Sequence, residues 1–339
     1  MKQKDKSIPK CILFNGLGGA GQRHLRIFKE KYPNLKTVGS RRKGKTPLLN
    51  ADFTINETDT LESKYGIDLY QTIEEAYAEG PDLAVISTPT SMHCKNIIEA
   101  AELGVDVFVE KPGASNLSEV KKIIDAVRHN NVKFFISYQR RFHPLVIKAR
   151  EILTKNKLGK VKSIRVTVHS HVPDWHPYEN FMDLYACRKD LGGGVLRTEI
   201  HEIDFLTWVY GSPNLLKATG GWLGPHSLDV EDTVEIFMYY GDFEAQVDLC
   251  FMQKIQERRI SVYAEYGWLD LDILRNTLTV KDNTSTEHRE YKKSIGNDDM
   301  FRKQANFLLN EFTLEDNSYC NALEKNAKIV DQCLEQISK

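Results

Sequence analysis

Three groups of residues carry types and spacings that can do chemistry. The first is Gly16-Leu17-Gly18-Gly19-Ala20-Gly21, which fits G-x-G-x-x-G and directly follows the apolar run Cys11-Ile12-Leu13-Phe14. In such a turn Gly16 permits the tight bend, Gly18 lets backbone approach a pyrophosphate, and Gly21 allows close packing of helix on strand. The phosphates then sit at a helix N-terminus, where N–H groups and the helix dipole favour anions. The chemistry implied is dinucleotide binding, with Gly19 and Ala20 in the same cradle. A glycine-rich turn without a ligand is the competing reading, and the strand-turn-helix setting argues against it.

The second group is Glu110-Lys111-Pro112, at the end of the apolar run Val107-Phe108-Val109. Carboxyl ends of buried parallel strands line the ligand crevice of a doubly wound sheet. A lysine there can reach a cofactor ribose and a substrate hydroxyl; the alternative is a surface lysine paired with Glu110. The third is His201, after Gly192-Gly193-Gly194. In a helix it shares a face with Arg197, Thr198, Asp204 and Phe205. A histidine among such groups can be a general acid/base or a hydrogen-bonded structural residue.

Selectivity between cofactors is read past the glycine turn. A site for NAD usually carries Asp or Glu about 20 residues on, bonding the ribose 2′-hydroxyl. Here the segment is Gly39-Ser40-Arg41-Arg42-Lys43, with no acid. The Ser40 hydroxyl and the Arg41 and Arg42 guanidiniums suit the 2′-phosphate of NADP(H), which is expected to be preferred over NAD(H). His169-Ser170-His171, with His176 nearby, places two imidazoles on one strand face, but no acid or cysteine spacing supports a metal, and none is expected. Trp175 and Tyr178 can stack on a sugar or simply pack.

Those residues need elements to position them. Short apolar runs at 11–14, 35–38, 83–87, 105–110 and 134–138 alternate with helical patterns at 22–31, 92–103 and 118–128. This alternation predicts a parallel sheet with helices on both faces. The polar stretch 56–80 is irregular. After about residue 150 the pattern changes: a strand at 161–168, a helix at 195–210, then strands at 215–219, 233–240, 243–251, 259–264 and 277–280. Gly241-Asp242 reads as a hairpin turn. Helices at 300–314 and 321–337 close the chain. The expected fold is α/β: an N-terminal Rossmann doubly wound parallel sheet plus a C-terminal α+β domain with a large open, mostly antiparallel sheet. The expected domains are 1–142 for dinucleotide binding and 143–339 for substrate binding and oligomerisation, with the last helices packing back on the first.

Composition bounds the function. The chain has 339 residues with 46 Lys plus Arg against 47 Asp plus Glu, a formal net charge of −1. That balance disfavours a surface tuned to nucleic acid or anionic membrane. No apolar run approaches the roughly 18 residues needed to span a bilayer. The basic start followed by residues 11–14 faintly mimics a signal peptide, but the run is short and leads into the glycine turn, so it reads as a strand. The six cysteines have no C-x-x-C spacing, as expected for reduced, mostly buried thiols in a cytoplasmic protein.

Together these residues resemble the Gfo/Idh/MocA family of nicotinamide-dependent sugar and polyol oxidoreductases, over nearly the whole chain. The resemblance rests on the glycine turn, on Thr88-Pro89-Thr90-Ser91-Met92-His93, on Glu110-Lys111-Pro112, and on Gly192-Gly193-Gly194 followed by His201. Gly21-Gln22-Arg23-His24-Leu25-Arg26, Arg141-Phe142-His143-Pro144, Pro173-Asp174-Trp175 and Ala186-Cys187-Arg188-Lys189 look like a branch associated with bacterial surface-sugar metabolism. The resemblance implies that Lys111 and His201 flank the substrate carbon facing the nicotinamide, and that Thr88, Pro89, His93, Glu110 and Arg141 line the cofactor. It implies Trp175, Tyr185, Arg188 and Thr198 on the substrate side, a sugar-type small molecule as partner, and a homodimer or homotetramer. Two positions depart from the family pattern: Gln139 stands where Asn is common, and Thr198 where the branch has Asp. Asp204 or Glu199 is a candidate to orient His201 instead. The rival expectation is a catalytically degenerate NAD(P)-binding sensor on the same fold.

Overall fold

A computed structural model describes residues 8–40, 47–176, 178–283 and 288–337. It divides into two compact units. The first comprises Met1–Ser137, His176–Tyr178 and Phe301–Asn321; the second comprises Tyr138–Trp175, Glu179–Met300 and Ala322–Lys339.

In the first unit six parallel strands, β1 (Cys11–Asn15), β2 (Lys36–Ser40), β3 (Asp68–Tyr70), β4 (Leu83–Ile86), β5 (Asp106–Val109) and β6 (Phe134–Ile136), lie in the order β3-β2-β1-β4-β5-β6. All residues of β1 and β4 are buried, as central parallel strands covered on both faces require. The crossovers are α1 (Gly19–Lys31), α2 (Leu61–Tyr65), α3 (Ile73–Ala78), α4 (Thr90–Glu102) and α5 (Leu117–His129). The short helices α2 and α3 and strand β3 fill the polar stretch read above as irregular. Thr60 and Thr72 start the two helices with capping boxes, closed by Ser63 and Glu75. Strand order reverses between β1 and β4, so their carboxyl ends flank the crevice where doubly wound sheets bind ligands.

The second unit opens with α6 (Pro144–Thr154), a helix the sequence reading missed. Pro144 takes its first turn, and the His143 ring accepts from the Leu145 N–H at 3.2 Å. Then come β7 (Val161–His171), α7 (Val195–Thr198), α8 (Ile200–Tyr210), β8 (Leu215–Gly221), β9 (Thr233–Tyr239), β10 (Glu244–Cys250), β11 (Met252–Ala264), β12 (Gly267–Asp272), β13 (Thr277–Asp282) and β14 (Arg289–Lys292). The eight strands lie in the order β14-β13-β12-β11-β7-β10-β9-β8, antiparallel except where β7 meets β10. One face is closed by Val234, Ile236, Ala245, Val247, Leu249, Ile260 and Val262, all buried; its alternates are partly exposed. This is the doubly wound sheet plus large, mostly antiparallel sheet expected from the sequence. The helices α9 (Asn297–Asn310) and α10 (Ser318–Ile337) each carry residues of both units.

The single helix expected over 195–210 is in fact two. It breaks at Glu199 (φ −96°, ψ 35°). The Glu199 carboxylate accepts from the buried Arg258 guanidinium on β11. Periodicity within the segment cannot signal a partner so distant in sequence.

Candidate active site

In the first unit the glycine turn has the shape its sequence requires. Gly16 has φ +98°, and a Cβ there would lie 2.7 Å from the Ser87 carbonyl carbon, just past β4. A side chain on Gly21 would strike the Gly16 carbonyl oxygen, so α1 packs closely only with glycine. Gly18, by contrast, faces open space. It begins α1 with no side-chain cap and no acid in the first turn, leaving backbone donors and positive dipole for an anion. These features fit a dinucleotide pyrophosphate. Gly19 is different: a Cβ there would come 2.8 Å from the Phe53 ring and 3.1 Å from the Tyr178 hydroxyl. Phe53 and His176 stack with centroids 6.0 Å apart, and His176 stacks on Tyr178. Phe53 beside the turn carried no signal in the sequence, since nothing local ties it to residue 19.

Thr88, Pro89 and His93 come together at the start of α4. The His93 ring shares a 2.8 Å hydrogen bond with the Thr88 carbonyl, and the Asn96 amide donates to the Thr88 hydroxyl at 2.9 Å. Burial pulls His93 down to about 4, so its ring is neutral. Glu110 pairs with His24 of α1 at 2.6 Å. Burial by itself raises the Glu110 carboxyl, but His24, Lys111 and the Ser137 hydroxyl outweigh it and hold the group at about 2. Lys111 follows at the strand end, its backbone N–H donating to Glu110 at 3.2 Å and its peptide to Pro112 cis. Ser40 ends β2; Arg41 and Arg42 lie outside the described residues.

In the second unit His201 lies in the first turn of α8 and is 5% exposed. Its Nε2 lies 3.2 Å from the Gln139 amide nitrogen. Both sequence candidates for orienting it have arginine partners. Glu199 is engaged by Arg258, and Asp204 takes a two-pronged pair from Arg141, at 2.8 and 2.7 Å, plus the Asn326 amide at 2.9 Å. Thr198 is buried in α7. Glu231, just before β9, accepts from the Leu196 N–H at 3.2 Å and fills the space beside Gly194; burial raises it to about 7. Trp175 packs edge-on against Phe251 at 5.3 Å, Tyr185 is half-buried, and Arg188 clasps Asp190 at 3.0 and 2.6 Å. On β7, His169 pairs with Asp248 and His171 with Asp174, each at 2.7 Å.

The first unit, with its glycine turn at the strand-order reversal, defines a nucleotide-binding Rossmann protein, extended by a unit built on a large sheet. The chain belongs to the Gfo/Idh/MocA family: residues 11–138 match its oxidoreductase model, described as an NAD-binding Rossmann fold, and residues 146–270 match its C-terminal domain. An "uncharacterized oxidoreductase" of Streptococcus pneumoniae is 25% identical over 232 residues, 67% of this chain and 62% of the relative. The scyllo-inositol 2-dehydrogenase (NAD(+)) of Bacillus subtilis is 32% identical over 153 residues, 44% of this chain and 42% of the relative. The matches thus span less than two thirds of these relatives' own lengths. Levoglucosan dehydrogenase in complex with NADH and levoglucosan has the same fold, with TM-score 0.80, 17% identity and 97% of each chain covered. No described helix is long and apolar enough to cross a membrane.

Proposed function

We propose that the protein is a nicotinamide-dependent oxidoreductase acting on a secondary alcohol or ketone of a sugar, sugar nucleotide or polyol. The observation that carries this is the open Gly18 turn at the β1/β4 reversal in a chain of this family. Inositol and levoglucosan dehydrogenases among the similar proteins support the substrate class. The bound cofactor supplies or accepts the hydride. The backbone after β1 holds its pyrophosphate, and Thr88, Pro89, His93 and Glu110 line it. Lys111 orients and polarises the reacting oxygen, and His201 exchanges the hydroxyl proton. Trp175, Tyr185, Arg188 and Thr198 are proposed on the substrate side. A thermal-shift screen of NADP(H) and NAD(H), each crossed with a panel of sugars and sugar nucleotides, tests the reading, because a ligand that binds only the folded state raises its stability. Failure of every nicotinamide cofactor to raise the melting temperature would refute it.

NADP(H) is the preferred cofactor on this reading, through Ser40, Arg41 and Arg42. Arg41→Ala is expected to weaken NADPH binding by about 10- to 100-fold, the worth of one hydrogen bond to a charged group, and to leave NADH binding nearly unchanged. Equal losses for both cofactors, measured by fluorescence titration, would remove Arg41 from 2′-phosphate recognition. The partly exposed face of β9 and β10, with Glu235, Phe237, Gln246 and Asp248, is proposed as a subunit interface. Light scattering at micromolar concentration should then give a dimer or tetramer; a monomeric mass contradicts it.

A further inference from the structure

The imidazole of His201 meets a side-chain amide. Three carboxylates lie close to it in sequence, and each is engaged by arginine. Glu199, at the break between α7 and α8, is bound by Arg258 of β11. Glu202 of α8 lies 3.5 Å from Arg258 and 4.0 Å from Arg140. Asp204, also on α8, takes both prongs of Arg141 and the Asn326 amide of α10. Arg140 and Arg141 come from the turn Gln139–Phe142, so the elements packed around the ring supply three arginines against three carboxylates. Burial, opposed by the arginines, raises the Glu202 carboxyl, and burial with the neighbouring Arg258 draws Arg140 down to about 10.

Gln139 touches the ring edge: its amide nitrogen is 3.2 Å from His201 Nε2, and its buried Oε1 has no hydrogen-bond partner among the described residues. Tyr138, the preceding residue, stands edge-on to the imidazole at 6.5 Å and is itself tied through its hydroxyl to Asn326 at 3.1 Å. The start of the turn is therefore anchored. Which end of an amide faces the ring is interchangeable by half a rotation. The N–H end can donate to an unprotonated ring nitrogen, and the carbonyl end can accept from a protonated one. A carboxylate only accepts, and it favours the charged ring.

We propose that Gln139 is the positioning residue for His201, a neutral amide that fixes the imidazole and serves both of its protonation states without placing a charge against it. This rests on the proton-exchange role assigned to His201 above. Gln139→Glu keeps the shape of the contact and adds a negative charge to it. It should move the midpoint of His201 titration upward by about one pH unit or more. The midpoint is read by ¹⁵N NMR of the imidazoles, with His201→Asn identifying the signal. In the alcohol-oxidising direction the rising limb of the kcat–pH profile should move upward by the same amount, because a more basic imidazole stays protonated to higher pH. Gln139→Leu should lower kcat by about 10-fold or more while leaving the nicotinamide Kd unchanged, a loss of one ring hydrogen bond. An unchanged His201 midpoint in folded Gln139→Glu overturns the proposal, whatever Gln139→Leu does. If the midpoint moves in a protein that turns over no substrate, the positioning stands and the enzymatic reading fails. If the enzyme turns over and the midpoint stays fixed, the positioning fails alone.

Discussion

His201→Asn is expected to lower kcat by about 10²- to 10⁴-fold, the usual contribution of a positioned general acid/base. Lys111→Ala should do comparable damage and weaken cofactor binding as well. The ion pairs described around them join Glu199, Glu202 and Asp204 to their arginines and Glu110 to His24. Melting temperatures should therefore move little while the rate collapses. Steady-state kinetics beside circular-dichroism melts separates the two. A non-catalytic sensor on this fold has no turnover to lose, and the same substitutions would alter only ligand affinity. Thr198→Asp sharpens the comparison. Thr198 is buried just before the break that leads into α8, and an acid there adds negative charge close to the ring. An active native enzyme should answer with a shifted pH–rate profile. Native protein inert on a broad sugar panel, with turnover gained only in Thr198→Asp, would establish the sensor reading.

How much of this was legible in the sequence follows from how local each cause is. The glycine turn was readable because its constraint is local: Gly16 needs its positive φ, and Gly21 must pass the Gly16 carbonyl. The buried strands β1, β4 and β5 were readable because a parallel strand covered on both faces is a continuous apolar run. The hairpin at Gly241-Asp242 showed itself by its turn residues and by the alternation of Phe243, Ala245, Val247, Leu249 and Phe251 after them. The short elements α2, α3 and β3 were not readable, since each is too brief to show periodicity and two depend on threonine caps. Tertiary pairing is equally silent in the sequence. The segment that is helical by pattern breaks at Glu199, whose carboxylate meets Arg258, and Asp204 pairs with Arg141. Gln139 stood out only as a departure from a family pattern; that it touches His201 is a fact of the fold. The pairing of His24 with Glu110 joins a helix to the end of a strand far along the chain, and neither residue signals the other.

Arg141→Ala should be the most destabilising of these substitutions, at about 3–5 kcal/mol, the range for removing one partner of a buried ion pair. The pair is well enclosed, with side-chain exposures of 9% for Arg141 and 3% for Asp204. Its guanidinium also lies 5.1 Å from the Tyr138 and Trp208 ring centroids. Without it, the Asn326 amide is the one side-chain donor left to the Asp204 carboxylate among the described residues, and Asn326 is further bound by Thr207 at 2.7 Å. Asp204→Asn should cost a similar amount from the other side, because the guanidinium loses its two-pronged carboxylate. The double substitution Arg141→Leu with Asp204→Leu should recover part of the loss, because two apolar groups leave no charge stranded. Urea titration of the native protein, Arg141→Leu, Asp204→Leu and the double variant measures the coupling directly. The resemblance to the family places Arg141 on the cofactor, and the same variants decide between the roles. Loss of stability with an unchanged NADPH Kd in the folded protein makes Arg141 the clasp that holds α8 behind His201. Native stability with NADPH binding lost assigns it to the cofactor instead.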